Sequence, residues 1–141
     1  MIVDVLVGAA QGLAFAAIGL GLMALGFVVV DVLTPGKLGQ ILIEGRNRNA
    51  AMLVVSGTLS VAGIVVVAIA TSSNDFGRGL VDTAVFGLVG IGLMGLAFVV
   101  ADALTPGRLR DIVLDDIPHP AVYVVMASHV GVAAIVSASI A

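Results

Sequence analysis

The chain has 141 residues, 60% of them hydrophobic and 11% charged, with a net charge of -3 and a mean hydropathy of +1.24. A soluble domain of this length could not bury that much apolar surface, so the composition predicts an integral membrane protein surrounded by the lipid bilayer. The absence of cysteine excludes disulfides and cysteine metal sites, and the lack of any basic run argues against binding of nucleic acid.

Four apolar segments are each long enough to cross a membrane as a helix. A hydrocarbon core of about 30 Å needs about 20 apolar residues, because backbone polar groups there must be satisfied inside the helix. The first segment is the longest and is expected to tilt or to enter a headgroup layer. In chain order, the predicted spans run from about Val5 to Val30, Ala50 to Ala70, Leu80 to Ala101 and Ala121 to Ala141.

One stretch of the chain occurs twice. Residues 19–41 and residues 90–112 are identical at 15 of 23 positions. Each copy belongs to a pair of apolar segments, so the sequence predicts two tandem two-span modules, residues 1–71 and 72–141. Both modules then cross the membrane in the same direction and are related by an axis along the membrane normal. The predicted fold is an all-α integral membrane bundle of four transmembrane helices.

The basic residues indicate the orientation of these helices. Five of them flank one side of the four segments, and Arg78 lies on the other side. Because basic residues are enriched in cytoplasmic loops, both termini are predicted to lie outside the cytoplasm and the two longer loops inside it. The five residues are Lys37, Arg46, Arg48, Arg108 and Arg110.

The same corner motif follows the first span of each module. A threonine precedes a proline and a glycine, as an N-cap precedes the first helical residue, so a short helix is expected to begin there. Apolar residues at helical spacing after the motif predict that this helix is amphipathic and lies along the cytoplasmic membrane surface. The motif residues are Asp31, Thr34, Pro35 and Gly36 in the first module and Asp102, Thr105, Pro106 and Gly107 in the second.

Asp31 and Asp102 lie at the carboxyl end of a helix, where the helix dipole disfavours an anion. One explanation is that each carboxylate accepts hydrogen bonds from free amides at the start of the next helix. The alternatives are a cation site at the inner mouth of the bundle and a salt bridge to Arg46 or Arg48.

The two modules differ in charge after the short helices. Arg46 and Arg48 make the first loop basic, whereas Asp115 and Asp116 make the second loop acidic. Complementary charges favour a contact between the two pairs, either within the chain or across a dimer. Unrelated, solvated loop charges are the alternative.

The corner motifs resemble those of a known family. The YjfL-like proteins, small bacterial inner-membrane proteins of unknown function, are similar in the doubled module, the Asp-x-Leu-Thr-Pro-Gly turn and the following Glu-x-Arg-Asn with an alanine pair. The resemblance spans nearly the whole chain and implies a multi-pass protein of the bacterial inner membrane. It also implies a gene neighbourhood of membrane-stress proteins similar to PspA and of polyamine or glutathionylspermidine synthesis enzymes, and it implies no reaction. The Pro-His-Pro segment at 118–120 departs from the first module, so the Arg-Asn element belongs to module one only.

Small residues line one face of the first and third spans. In lipid, small residues let helix backbones approach closely, which is a main source of helix association. These two faces are predicted to form the central seam of the bundle, and a conduction path is the alternative where they fail to close. The seam residues are Gly12, Ala16, Gly19 and Gly26 in the first span and Gly87, Gly90 and Ala97 in the third.

Ionisable residues inside a span are expected to have a charged or hydrogen-bonding partner or a function, because placing a charge near the bilayer centre costs roughly 2.5 to 3.5 kcal/mol of free energy. Asp82 lies near the outer surface, at the positive end of its helix, and aligns with Gln11 of the first module. This position favours a structural cap or an outer-layer hydrogen bond.

His129 lies deeper, with Ser128 beside it and Thr58 at the equivalent position of the first module. One interpretation is a neutral imidazole that is hydrogen-bonded to Ser56, to Thr58 or to a backbone carbonyl. The other is a proton or cation relay. A lone histidine makes a poor metal site, so no bound metal is expected.

The chain carries no recognisable enzyme signature, such as a nucleophile elbow, a phosphate-binding loop or a His-Glu-x-x-His motif. We therefore expect a non-enzymatic protein without a cofactor. The first hypothesis is a self-associating membrane subunit or scaffold of an envelope or membrane-stress system, whose corners dock a cytoplasmic or membrane protein partner. The second is a small channel or carrier for protons, cations or polyamines, which needs a dimer or larger ring because four helices are a narrow frame.

Overall fold

The computed structural model describes residues 1–33, 38–72, 75–104, 109–115 and 117–141, which form six α-helices and no strand. Four helices are long and two are short, and the order long, short, long occurs twice. The long helices are α1 (Ile2–Leu33), α3 (Arg48–Ala70), α4 (Phe76–Leu104) and α6 (Pro120–Ile140). The short helices are α2 (Leu38–Ile43) and α5 (Leu109–Val113). The axis that relates the two halves stays a prediction.

The four long helices correspond to the four predicted spans, and each is long and apolar enough to cross a membrane. This prediction is confirmed, although α1 and α4 extend beyond both predicted ends. They do so because polar residues such as Asp31 and Asp102 continue the last helical turn instead of ending it. With 32 residues, α1 rises about 48 Å and is longer than a hydrocarbon core of about 30 Å.

The two short helices pack against the bundle at what we call the corner end, where α3 and α6 begin. Ile41 and Leu42 of α2 are half-buried there, and Val113 of α5 is completely buried. The residues directly before both short helices, 34–37 and 105–108, lie outside the described residues, so the threonine caps stay predictions, as does the position of these helices at the membrane surface. The buried cluster at this end consists of Val30, Ala50, Leu53, Phe98, Val113, Val122 and Val125.

Helices α3 and α4 form the centre of the bundle. Each packs against the other three long helices, whereas α1 and α6 make at most marginal contact with each other in the described chain. Helix α1 is the most exposed of the four, and only Gly19, Leu22 and Val30 are buried along it. Its first half therefore faces lipid or another protein.

Two glycines of α4 allow close approach of its neighbours. A Cβ atom at Gly87 would overlap the side chain of Leu22 from α1, and one at Gly90 would lie 2.5 Å from Cδ1 of Ile64 from α3. Since neither site has room for a methyl group, both large side chains pack directly on the α4 backbone. These two contacts hold α1 and α3 against α4.

Two glycines of α1 lie against α3. A Cβ atom would lie 3.1 Å from Val65 at Gly19 and 3.0 Å from Val61 at Gly26, where Ile91 of α4 also lies 3.9 Å away. The small residues of α1 and α4 therefore receive large side chains of neighbouring helices. That the two faces form the central seam stays a prediction.

The outer part of the predicted seam is open. A Cβ atom at Gly12 would meet nothing within 4 Å, and Ala16 is exposed. Ala97 on α4 is half-buried. The first half of α1 contacts α4 through Phe15, whose ring lies edge-to-face against Phe76 with centroids 6.0 Å apart.

Gly87→Ala is expected to destabilise the bundle, because the added methyl group meets three atoms of Leu22, including Cγ, so the whole side chain must move. Overpacking of this kind costs about 1 to 3 kcal/mol. Gly92→Ala is the matched control on the same helix, where nothing lies within 4 Å of the added Cβ. It is expected to be neutral or stabilising by up to about 1 kcal/mol. Unfolding in mild detergent measures both, and equal stabilities would contradict the packing at Gly87.

Candidate functional site

Asn47 and Asn49 are buried polar residues at the corner end, only 6% and 1% exposed. Asn47 is the N-cap of α3, because its side-chain oxygen accepts a hydrogen bond from the Ala50 N–H at 2.9 Å. Its Nδ2 donates to the carbonyl oxygen of Asp115 at 3.0 Å. One side chain therefore both starts α3 and ties it to the loop before α6.

Asn49 makes more contacts with the same loop. Its Nδ2 donates to the carbonyl oxygens of Asp115 at 3.0 Å and Ile117 at 2.9 Å, and to that of Ile112 at a longer 3.3 Å. Its Oδ1 accepts from the backbone N–H of His119 at 3.2 Å. Carbonyls only accept and a backbone N–H only donates, so these partners allow one orientation of the amide. Because a buried carbonyl without a donor costs about 1 to 3 kcal/mol, Asn49 stabilises this loop.

These asparagines are not among the site residues predicted from the sequence. The predicted contact between the two loops was one of charge, whereas the described loops contact each other through amide side chains. The N-cap role of Asn47 has a signal in the sequence, an asparagine directly before a long apolar helix. The role of Asn49 has none, because its partners are backbone groups 63 to 70 residues away.

Five charged residues in the described part of the two corners are exposed. Within the described residues, neither Arg46 nor Arg48 forms an ion pair with Asp115. Asp116 lies outside the described residues, so an ion pair with it stays a prediction. The exposed ionic groups are Glu44, Arg46, Arg48, Asp111 and Asp115.

Arg46 has a structural role through its backbone. Its φ of 49° lies in the left-handed region, a conformation that commonly ends a helix and that favours glycine. The next N–H, that of Asn47, donates back to the carbonyl of Ile41 in α2 at 3.2 Å. The turn at Arg46 thereby directs the chain from α2 into α3.

The aspartates of the corner motif are half-buried. Asp31 and Asp102 lie in the last turns of α1 and α4. Whether they accept hydrogen bonds from free amides, bind a cation or pair with an arginine stays a prediction. The other motif residues lie outside the described residues: Thr34, Pro35, Gly36, Thr105, Pro106 and Gly107.

His119 begins the last long helix. It is the N-cap of α6, with Nδ1 accepting from the Ala121 N–H at 3.2 Å and Pro120 at the first helical position. Its own N–H donates to Asn49, as described above. The corner end therefore starts both α3 and α6 with side-chain caps, and Asn49 connects the two starts.

His129 is the most deeply buried titratable residue of the described chain, 2% exposed. Its Nδ1 lies 2.9 Å from Oγ of Ser56, which also lies 3.0 Å from the Leu53 carbonyl. Either neutral tautomer fits, because Ser56 can donate to the imidazole, or donate to Leu53 and accept from Nδ1–H. Of the partners considered for His129, the structure brings Ser56 to it.

The His129 ring lies where three other helices meet. A Cβ atom at Gly57 would lie 3.8 Å from Cε1 of His129 and 3.7 Å from Cε of Met94. The ring also lines a small pocket together with residues of α1 and α4, including Val30 and Phe98. The free volume of this pocket is about 10 Å³, the lower limit for one water molecule. The described bundle is therefore closely packed around His129.

Thr58 and Ser128 lie apart from this pair. Thr58 lines a crevice next to Gly26 and Phe27 of α1. The Ser128 hydroxyl donates to the Val124 carbonyl of its own helix at 2.9 Å. Among the described residues, no three histidine, cysteine, aspartate or glutamate side chains are placed to hold a metal ion.

At the opposite end of the bundle, Asp75 caps α4. Its Oδ1 accepts from the Arg78 N–H at 2.8 Å. Asp82, for which a cap or a hydrogen bond was predicted, is half-buried in the second turn of α4, and Gln11 is exposed. The cap position belongs to Asp75 because only a residue just before the helix can reach the free N–H groups of its first turn.

Asn49→Asp is expected to lower the free energy of unfolding by about 2 to 4 kcal/mol, because it sets a carboxylate against the carbonyl oxygens of Ile112, Asp115 and Ile117. It keeps the side-chain shape and the acceptor for the His119 N–H. Asn47→Asp is the comparison variant. It keeps the cap, its charge suits a helix N-terminus, and it sets the carboxylate against one carbonyl only, that of Asp115, so a smaller loss is expected than for Asn49→Asp. Chemical unfolding in mild detergent measures both. Similar losses would contradict the assigned role of Asn49.

Comparison with known proteins identifies relatives that cover nearly the whole chain. The model of a family described as Domain of Unknown Function (DUF350) matches residues 1–140. A UPF0719 transmembrane protein of Mycolicibacterium paratuberculosis (strain ATCC BAA-968 / K-10) is 33% identical over 136 residues, 96% of this chain and 90% of that protein. UPF0719 transmembrane proteins of Mycobacterium bovis and Mycobacterium tuberculosis are each 31% identical over 123 residues, 87% of this chain and 81% of those proteins. No solved structure matches the chain. Together with the four apolar helices, these relatives confirm a multi-pass membrane protein of an uncharacterised family.

Proposed function

Since the chain belongs to the DUF350 family, whose function is unknown, we propose from its own geometry that it is a non-enzymatic membrane subunit that self-associates and docks a partner protein at the corner end. In this proposal the protein lies in the bacterial inner membrane with the corner end in the cytoplasm and both termini outside. We also propose that the chain consists of two tandem two-span modules and that it is closely related to the YjfL-like proteins. This relationship favours a role in an envelope or membrane-stress system.

The observation that carries the proposal is the connection of the two corners by asparagine. Asn47 and Asn49 join the start of α3 to the loop before α6, so the two corners form one braced surface. Because these hydrogen bonds already hold the two corners together, less of this surface has to order itself on binding, which favours association with a second protein.

The charges on this surface supply a means of recognition. Arg46 and Arg48 are exposed on one corner, and Asp111 and Asp115 are exposed on the other. A surface with separated positive and negative regions orients a partner of complementary charge and disfavours other partners. The proposed partner is therefore a soluble or membrane protein with acidic and basic regions that match the two corners.

Site-specific photo-cross-linking in cells tests the docking surface. A photoreactive residue at Arg48 or Asp111 is expected to give the same adduct with another protein. The matched positions at the opposite end, Asp4 and Arg78, are also exposed and are expected to give no such adduct. Arg46→Glu combined with Asp111 labelling is expected to lower the yield, because the charge pattern is reversed. Equal adducts at both ends, or none at the corner end, would contradict the proposal.

A second candidate function, a proton or cation conduit, is favoured by one observation. The buried His129 lines a pocket that extends along α1 and α4 toward Leu33 at the corner end. Since the pocket has room for one water molecule at most, conduction would require the helices to separate. The conduit would then form in a dimer or a larger ring.

Proton flux into liposomes tests this second candidate. His129→Asn keeps a group that can hydrogen-bond to Ser56 but cannot titrate, so a histidine-dependent flux is expected to be lost. Ser128→Ala is the control, because that hydroxyl bonds within its own helix. A flux that persists in His129→Asn, or no flux in well-oriented vesicles of the unsubstituted protein, would exclude the histidine relay.

A further inference from the structure

Helix α1 extends past the other long helices at the end of the bundle opposite the corner end. The Phe15 ring packs on Phe76, the first residue of α4, and lies 3.2 Å from a Cβ atom built at Gly79. Because helix side chains lean toward the N-terminus, the start of α4 is level with about Gly12 of α1. The residues before Gly12 are all exposed and, at about 1.5 Å per residue, reach about 15 Å further.

This extension does not fit into the bilayer. The turn between α3 and α4 carries exposed Asp75 and Arg78, so its level lies at the aqueous surface of the membrane. Headgroups add only about 5 to 8 Å on each side of the hydrocarbon core, and tilting α1 alone would break its packing on α3 and α4. The extension therefore passes into water. It is apolar except for Asp4 and Gln11, and an apolar surface in water favours a covering partner.

The large uncovered side chains of α1 follow a repeat of seven residues. Leu6, Leu13 and Leu20 are spaced by seven, and Ile2 lies one turn before Leu6; these four residues, which we call the aliphatic stripe, are 64 to 73% exposed. At about 100° per residue they lie within about 40° of one another, on the side of α1 opposite Leu22, which packs on α4. The aliphatic stripe therefore continues from the membrane-spanning part of α1 into the extension.

A strict repeat of seven is the pattern by which two helices pair along their length in a left-handed supercoil. Ala9 and Ala16 occupy the alternate positions of this repeat and are exposed, so a neighbouring helix can approach closely. A covering helix must present an apolar face at the same distance from the membrane, and within the described chain only α1 extends that far. A second copy in the same orientation supplies this face with its repeat in register.

We propose that α1 of a second copy covers the aliphatic stripe in a parallel, two-fold pair. A two-fold pair places each residue of the stripe beside its own equivalent. Since the stripe lies opposite the face that packs on α4, the two bundles lie on opposite sides of the pair and do not collide. The inference rests on the self-association in the proposed function and does not depend on the docked partner.

The area of the stripe suits such a pair. Burying an aliphatic side chain removes on the order of 100 Å² of apolar surface, so the four residues supply roughly 400 Å² per copy, to which the alanines between them add. This approaches the roughly 600 Å² per partner of the smaller specific interfaces. The part of the stripe in water also gains the hydrophobic effect, which packing inside lipid does not supply.

Cysteine cross-linking in native membranes tests the pair, because the chain has no cysteine of its own. Leu6→Cys places a thiol in the aliphatic stripe. Gln11→Cys is the matched control, because it is an exposed position of the same extension about 140° around the helix from Leu6. Oxidation is expected to give dimers from Leu6→Cys and not from Gln11→Cys.

Dimers from Gln11→Cys alone, or a cross-link of Leu6→Cys to a different protein, would overturn the proposed pair. Energy transfer between labelled copies of the unsubstituted protein in vesicles separates this inference from the proposed function. Dimers in vesicles without a Leu6→Cys cross-link would overturn pairing through α1 and leave self-association intact. Monomers in vesicles without a cross-link would overturn both, without bearing on the docked partner.

Leu6→Ala tests the stripe itself. Alanine keeps the helix and removes most of the apolar side chain, so the dimer association constant in vesicles is expected to fall at least about ten-fold. Leu59→Ala is the matched control, because Leu59 is equally exposed in a groove between α3 and α6, and it is expected to leave the constant unchanged. Energy transfer at increasing lipid dilution measures the constant, and unfolding in detergent checks that both variants fold. Equal constants for the two variants would overturn the assignment of the stripe.

Discussion

The bundle depends on close approach of helix backbones at the glycines of α4. In lipid, apolar side chains gain little by leaving the hydrocarbon, so helix association relies on packing contacts. Gly87 and Gly90 omit the side chains that would block Leu22 of α1 and Ile64 of α3. Because α4 also packs against α6, it contacts all three other long helices. Helix α3 does the same and is the second central helix.

A different constraint operates at the corner end, where helices begin and the loops must satisfy their own backbone groups. Two asparagines and a histidine satisfy many of these groups. Asn47 and His119 cap α3 and α6, and Asn49 pairs with both the carbonyls and an N–H of the opposite loop. The corner end is therefore held by buried neutral amides, while Arg46, Arg48, Asp111 and Asp115 are exposed and Asp31 and Asp102 are half-buried. Exposed charges on a surface held together by buried amides are the reason for proposing that the corner end is a docking surface.

Helix α3 links the three polar features of the protein. Asn49 is at its corner end, Ser56 faces His129 in the centre of the bundle, and Ser60 follows one turn further on. Asn49 and Ser56 have hydrogen-bond partners outside α3. Ser60 is buried, and its Oγ has no hydrogen-bond partner within the described chain.

The sequence by itself determined the membrane-spanning class, the four long helices and the two short ones between them, because length and apolar composition decide which segments can cross a bilayer. It also indicated the small-residue faces and a polar group at His129 inside a span. Only the tertiary structure decided which neighbour each face meets: Gly19 and Gly26 of α1 receive valines of α3, while a Cβ atom at Gly12 would meet nothing within 4 Å. The contacts of Asn49 and the choice of Ser56 as the partner of His129 were likewise decided by the fold. They join residues more than sixty positions apart, and helical periodicity contains no information about which helices become neighbours.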